Sequence, residues 1–521
     1  MTQSSYIPFS LTKIIATVGP SCDSAEMLRH LIEAGVSVFR LNFSHGTQEE
    51  HEVRLRLIRE VSSDIQRHVS VMGDLPGPKI RVGEVPGEGF EVRQGDEIAF
   101  RRGISEAIEG DVPIFPCTYE KLIDEVDPGH RVLIADGAVR ALAVERIEID
   151  ASTGESELRC RITTGGTISS NKGVNLPDSD ISVPAITETD WRWARWAYDH
   201  GIDYLALSFV RRAEEISRLK ETLAEWSEDI TRGLSREPHI PVIAKIEKPQ
   251  AVDNIESIVR EADGLMVARG DLGVEMDLAL VPATQKKLIG AAKAHGCPVI
   301  VATQMFESMI HSPTPTRAEA NDVANAIYDD ADAVMLSGET AVGQYPSIAV
   351  ETMRRIALAT ESDQRTNEPA DSPIPQPKAR NEMLSAMASG AWYLARGVNA
   401  GMVACWSQSG GVARYLSRAG FRIPILAFTS DVSAARRMSL LYGVIPVLEQ
   451  DPPSHRSQFA ERIERLLLNK GWAHRGDTYI ALAGKPMGQP GVVNTIAIRR
   501  VGEMEEVLES DSVEKDRLVQ A

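Results

Sequence analysis

Short β-branched and aliphatic runs alternate along this chain with stretches whose apolar positions recur at helical spacing. Residues 13–18, 36–43 and 69–75 read as strands, with helices over 24–34 and 48–62 between them. The alternation then breaks off and resumes with a Trp-rich helix over 190–199. Five more strand-like runs follow at 204–210, 241–247, 264–268, 298–304 and 332–337, separated by helical patterns, and a last helix starts after Pro346. Eight buried-type strands, each followed by a helix, predict an α/β chain built on a parallel (β/α)8 TIM barrel. An open doubly wound sheet is the competing arrangement, and the count of eight favours the barrel.

The interruption has a different texture. It is rich in Gly and Pro, with short alternating segments such as 91–92 and 131–135. That predicts a small β-barrel domain inserted after strand three, over residues 79–180, and insertions of this kind can act as lids. The barrel is then assigned to 1–78 and 181–360. Pro373, Pro375 and Pro377 stiffen an expected linker over 361–378. Beyond it, runs at 400–405, 424–428, 444–448 and 478–481 predict a C-terminal α/β domain over 379–505, followed by a charged, frayed tail over 506–521.

The length of 521 residues agrees with about three domains. Hydrophobic residues make up 43% and charged residues 25%, which excludes a disordered, collagenous or disulfide-stapled chain. No apolar run approaches the roughly 20 residues of a membrane helix. Met1 to Ser10 lacks the basic start and apolar stretch of a secretory signal. A net charge of −18 argues against nonspecific binding to nucleic acid or an acidic membrane, while leaving room for a local cationic pocket that holds a small anion. The five cysteines are odd in number, scattered and without a Cys-x-x-Cys pair. They fit a reducing cytoplasmic location and argue against a zinc site.

Catalytic groups in a barrel come from the C-terminal ends of its strands. Strand two ends with Arg40, Asn42 and Ser44 in alternation, so they share a face if the strand persists. Strand three ends at Asp74, strand four carries Ser208, and strand five ends Lys245-Ile246-Glu247. Strand six ends Arg269-Gly270-Asp271, strand seven carries Thr303 and Gln304, and strand eight ends Ser337-Gly338-Glu339-Thr340. One rim thus gathers an arginine and a lysine that can hold an anion. It also carries two carboxylates, Glu247 and Asp271, that can hold Mg2+ or Mn2+.

These segments resemble the pyruvate kinase family. The resemblance rests on Thr12 to Pro20, Arg40 to Gly46, Ile240 to Val252 around Lys245, Met266 to Gly273 and Met335 to Thr340. It implies transfer of the phosphoryl group of phosphoenolpyruvate to ADP, giving pyruvate and ATP. It further implies that Glu247 and Asp271 bind the divalent metal and that Arg40 grips the phosphate. The same resemblance implies that Lys245 stabilises the transferring phosphoryl oxygens, with Thr303 beside the enolate. It implies too that Gly270, Asp271, Thr303 and Ser208 line the substrate site and that Arg81, Asn42 and His45 approach the nucleotide. A homotetramer and a C-terminal effector site are implied as well. The turn carrying Ser407, Ser409 and Gly410 suits a sugar phosphate or nucleoside monophosphate.

Two departures from the commoner family pattern stand out. Members that need K+ carry Asp-Thr-Lys-Gly-Pro-Glu-Ile-Arg-Thr after strand three, whereas this chain reads Asp74-Leu75-Pro76-Gly77-Pro78-Lys79-Ile80-Arg81-Val82. Lys79 replaces the glutamate, and Leu75 and Val82 replace hydroxyls. A tethered ammonium can supply the charge of a bound K+, with Asn42, Ser44 and Asp74 as polar neighbours, so K+ independence is expected. The second departure is Thr189, at a position where many members place a lysine near the nucleotide phosphates; Lys172 is a candidate to compensate. A metal-dependent aldolase or lyase, and a non-catalytic metabolite sensor, are the competing functions. Neither accounts for the insertion, the third domain and Lys245 together.

Overall fold

Eight parallel strands close on themselves in chain order. They are strand one (Lys13–Thr17), two (Val36–Asn42), three (Ser70–Asp74), four (Tyr204–Leu207), five (Val242–Ile246), six (Gly264–Ala268), seven (Val299–Ala302) and eight (Ala333–Leu336). Strand eight returns to pair with strand one through Lys13 and Ala333. The structure, a computed structural model, describes residues 10–150, 155–231, 240–367, 369, 381–484 and 492–502.

The lumen is filled by Ile15, Val38, Met72, Ile243, Met266 and Ile300, among others, so it is a packed core. The outward faces of the strands pack on the surrounding helices in a second apolar shell. Seven strands are buried along their whole length, as expected for parallel strands covered on both sides. Strand two is the exception: Arg40 and Asn42 are partly exposed at its C-terminal end. Several observed strands stop one to three residues short of their predicted ends. The backbone turns at the rim, where Phe209, Thr303 and Gln304 adopt φ of +54°, +67° and +53°. A non-glycine residue held in that region signals local strain, which clusters at functional sites.

The chain leaves the barrel after strand three and builds a six-stranded and a two-stranded sheet around a separate core that includes Phe100, Phe115 and Leu158. The long pair Val139–Asp150 and Glu155–Thr164 dominates it, and isolated bridges such as Arg81 to Gly173 knit its root. The C-terminal region is a five-stranded sheet flanked by helices. Its last strand, Val493–Arg500, runs antiparallel to Thr478–Gly484 and is absent from the sequence expectation. Lys13 Nζ donates to the Val444 carbonyl (2.7 Å) and Tyr204 Oη to the Arg437 carbonyl (2.7 Å), tying the barrel floor to this sheet. The helix Pro346–Thr366 continues past Glu361, where the linker is expected to begin, because Thr360 and Glu361 are still buried and Glu361 accepts from Leu11 N (2.9 Å) and Thr12 N (2.8 Å). Pro373, Pro375, Pro377 and the charged tail lie outside the described residues.

Candidate active site

The C-terminal rim carries a continuous chain of charges. Arg40 Nε donates to Asp74 Oδ2 (2.6 Å), and Arg40 also reaches Thr17 Oγ1 (3.2 Å). Asp74 Oδ1 lies 3.2 Å from Lys245 Nζ. Lys245 in turn donates to Ser208 Oγ (2.6 Å) and stands 2.9 Å from Glu247 Oε1. The alternation of Lys245 and Glu247 puts both on one face of the strand end. The left-handed turn at Phe209 aims its backbone N–H at Glu247 Oε2 (2.6 Å).

Strands six and seven supply the other half. The helix Arg269–Glu275 opens directly at the end of strand six, so Asp271 sits in its first turn. The Gly270 N–H donates to Thr303 Oγ1 (2.7 Å), and that hydroxyl donates to the Ala302 carbonyl (2.6 Å). Arg269 turns into the wall. It pairs with Asp322 (2.7 Å) and donates to the carbonyls of Thr303 and Gln304 (both 3.1 Å), which holds the strained pair in place. Glu339, in the short helix Gly338–Ala341 after strand eight, accepts from Phe306 N (2.9 Å) and Ser337 N (2.7 Å) and braces the next turn of the same loop.

Electrostatics follow this wiring. Burial acts to lower the Lys245 pKa, but Asp74 and then Glu247 outweigh it and hold the ammonium protonated well above its ordinary value. Burial alone would raise the Asp74 carboxyl; Lys245 and Arg40 reverse this and hold it below the usual range. Glu247 is pushed up, first by burial and further by the charge of Asp271, with Lys245 opposing. Two carboxylates that repel each other are a donor set a divalent cation would relieve. Among the described residues no group of three or more His, Cys, Asp or Glu side chains is placed to hold a metal. Two protein carboxylates fit Mg2+ or Mn2+, which keep several waters and share substrate phosphates; they do not fit an all-protein cage.

Of the residues singled out from the sequence, Arg40, Asp74, Ser208, Lys245 and Glu247 meet in direct contact, and Gly270, Asp271 and Thr303 form the adjoining wall. Ser208 is 2% exposed, and its hydroxyl also donates to the Leu75 carbonyl (2.7 Å), so it holds the lysine and does not open onto the cleft. Leu75 is buried. Asn42 accepts from Ser44 N (3.2 Å) at the exposed end of strand two, and the nearby His45 carbonyl faces His51 Nε2 (2.8 Å). Arg81 donates to the Asn171 carbonyl (2.8 Å) at the root of the insertion. Thr189 accepts from Arg192 (3.0 Å) on the surface of its own helix.

Lys79 stands apart from the contact chain. Its side chain is exposed and lines the cleft between insertion and barrel with Asp136, Asn175, Lys248 and Asp271. It is not paired with Asp74, whose two oxygens are taken by Arg40 and Lys245. Ser407, Ser409 and Gly410 lie in the C-terminal region. Ser407 Oγ accepts from Ala413 N (3.1 Å) and so caps the helix Gly411–Arg418. The bridging role of Asp74, the Ser208 grip on Lys245 and the bracing by Glu339 are not visible in the sequence. Only their position at strand ends hinted at them.

The chain matches the family described as pyruvate kinase, barrel domain, over residues 9–350 and the one described as pyruvate kinase, alpha/beta domain, over residues 385–499. The chain belongs to the pyruvate kinase family. It is 40% identical to pyruvate kinase 2 of Synechocystis, covering 94% of this chain and 79% of that one. It is 39% identical to a pyruvate kinase of Mycobacterium intracellulare, covering 94% and 98%. A crystal structure of a pyruvate kinase from Cryptosporidium parvum superposes with a TM-score of 0.83 at 33% identity, covering 94% of this chain and 96% of the other. Membership makes the protein a kinase, an enzyme that transfers phosphate. Among the described residues no helix is long and apolar enough to cross a membrane.

Proposed function

We propose that this protein transfers the phosphoryl group of phosphoenolpyruvate to ADP, giving pyruvate and ATP as the final step of glycolysis in the cytoplasm. The observation that carries the reading is the unbroken contact chain Arg40–Asp74–Lys245–Glu247 at the barrel mouth. Moving a phosphoryl group between two anions is chiefly a matter of positioning and charge stabilisation. Arg40 offers a planar donor fork for the phosphate, and Lys245 a compact cation for the oxygens in transfer. Asp74 holds both cations in register. Glu247 and Asp271 are the residues that would hold Mg2+ or Mn2+, which when bound neutralises phosphate charge. The Gly270 N–H, oriented by Thr303, lines the substrate side. Both bonds of the Thr303 hydroxyl are made within the protein, which favours water as the proton source for the enolate.

The insertion (79–180) acts as a lid over the barrel (1–78 and 181–360). Arg81, Asn42 and His45 lie on the nucleotide side of the cleft beneath it. Independence of K+ is supported by the aliphatic Leu75 and Val82, which stand in place of hydroxyls and are buried in the barrel core and the insertion core, and by the ammonium of Lys79 at the cleft wall. An anionic effector, a sugar phosphate or nucleoside monophosphate, is supported by two features. One is the turn of Ser407, Ser409 and Gly410, the last at φ +88°. The other is a cavity of about 780 Å³ between the barrel floor and the C-terminal sheet, lined by Lys13, Arg59, Arg67, Arg354, Arg436 and Lys470, with no acidic side chain among the described residues that line it. A homotetramer is supported by Leu278 and Leu280, which remain 69% and 54% exposed beside the helix Arg269–Glu275.

Mixing the protein with phosphoenolpyruvate, ADP and Mg2+ and following pyruvate and ATP together tests the reading. Equal appearance of both products is expected. Pyruvate without ATP, or no turnover, overturns it.

A further inference from the structure

Beside the two chain crossings that join them, the insertion meets the barrel at a buried carboxylate. Glu275 is the last residue of the helix Arg269–Glu275, whose first turn carries Asp271. It is 1% exposed. Its Oε1 accepts from Lys248 Nζ (2.5 Å), the residue after Glu247, and from Asn175 Nδ2 (2.8 Å), which belongs to the short strand Val174–Asn175 of the insertion. Its Oε2 is buried without a hydrogen-bond partner. The neighbouring turn of the insertion, with Ala135 and Asp136 both at φ +53°, comes down on the same helix; a Cβ added at Gly137 would meet Val274 at 3.8 Å. The returning crossing is fastened in the same cleft by Arg211, which donates to the carbonyls of Ile181 (2.7 Å) and Val183 (2.8 Å).

We infer that Asn175, Glu275 and Lys248 form a latch that closes the insertion over the barrel mouth and ties its closure to the placement of Glu247 and Asp271. This rests on the function proposed above. Asn175 is the removable part of the latch: a neutral amide donating to a carboxylate makes a strong charge-assisted bond when docked and loses no charge partner when it leaves. Lys248 and Glu275 remain paired on the barrel in either state, so the barrel is not left with a naked buried charge on opening. The idle Oε2 marks a carboxylate that is under-satisfied when closed and free to take water when open. The two barrel residues of the latch adjoin different halves of the active site. Lys248 follows Glu247 directly, and Glu275 stands one helical turn from Asp271. A lid that seats on both therefore biases both carboxylates as it closes. These three are positioning residues, acting through their neighbours.

The test uses the full-length protein with nitroxides at Glu109→Cys on the insertion and Glu221→Cys on the barrel, with Cys117→Ser to remove the half-buried thiol. The distance distribution is measured without substrates. A short, dominant separation is expected for the parent. Asn175→Ala shifts weight to longer separations, and Asn175→Asp shifts more, because it sets a carboxylate against Glu275. Combining Asn175→Asp with Glu275→Gln exchanges donor and acceptor and restores the short separation. In turnover, Asn175→Ala raises KM for ADP about tenfold, the size of one charge-assisted hydrogen bond, with kcat changed less. Identical distributions across all variants overturn the latch. So does a drop in activity for Asn175→Ala with the distribution unmoved. A parent that shows the distance response but no transfer from phosphoenolpyruvate supports the latch and refutes the proposed reaction.

Discussion

Lys245 Nζ and Asp74 Oδ1 lie 3.2 Å apart beneath the barrel mouth, and the same aspartate binds Arg40 through its other oxygen (2.6 Å). One buried anion therefore sets the spacing of the two cations that would face a phosphoryl group. This makes Asp74 as consequential as the residues it holds, although it offers nothing to the substrate directly.

Asp74→Asn keeps the shape and removes the charge. Two buried cations then lose their shared partner, a change that costs on the order of 3–5 kcal/mol when a buried pair is broken. We expect a lower Tm, a kcat reduced by about a hundredfold and a raised KM for phosphoenolpyruvate. Thermal melting and steady-state kinetics check this. Wild-type-like values in both would show that Arg40 and Lys245 are positioned without it.

Lys245→Met should lower kcat by roughly 10²–10³ while the circular dichroism spectrum stays unchanged, because one preorganised cation is lost from the transition state. Ser208→Ala should cost less, about tenfold in kcat with KM for ADP unmoved, since it frees the lysine without removing it. An equal loss in both variants would contradict the assignment of Ser208 as a positioning residue.

Activity measured with K+ should match activity measured with tetramethylammonium as the only monovalent cation. Collapse in the bulky cation would refute K+ independence. Lys79→Glu, combined with Leu75→Thr and Val82→Thr, should create a dependence on K+, read as a rise in kcat on titrating KCl.

Lys13 gives a pH signature. Its ammonium is buried and bonded to the Val444 carbonyl, and burial lowers its pKa from 10.5 to about 8, against the opposing pull of Glu361. The folded state therefore binds fewer protons than the unfolded state between those values. Stability from this group rises as pH climbs from about 8 to 10.5, and the cost of burying the charge is present in full below pH 8. That cost is on the order of 3 kcal/mol at neutral pH. Lys13→Met should melt higher than wild type at pH 7, with the gap narrowing by pH 10. A gap that stays constant across that range would show that the Lys13 charge is not the source.

Much of this protein is written in its local sequence. Strand periodicity and the repeat of strand and helix specify eight parallel staves, because parallel strands covered on both faces must read as continuous apolar runs. The rim chemistry follows from the same logic: Arg40, Asp74, Lys245, Glu247, Asp271 and Thr303 stand at strand ends, the one place a barrel exposes them together. Tertiary structure alone decided the pairings, since Asp74 on strand three meets Lys245 on strand five past the strand between them, from whose end Ser208 joins the pair. It alone shows Lys79 at the cleft wall while Arg40 and Lys245 share Asp74. The docking of Asn175 on Glu275 is likewise beyond local pattern: it joins a two-residue strand of one core to the helix end of another. Periodicity reports which face of an element is buried; which charges meet is settled only when separate elements compete for the same few buried partners.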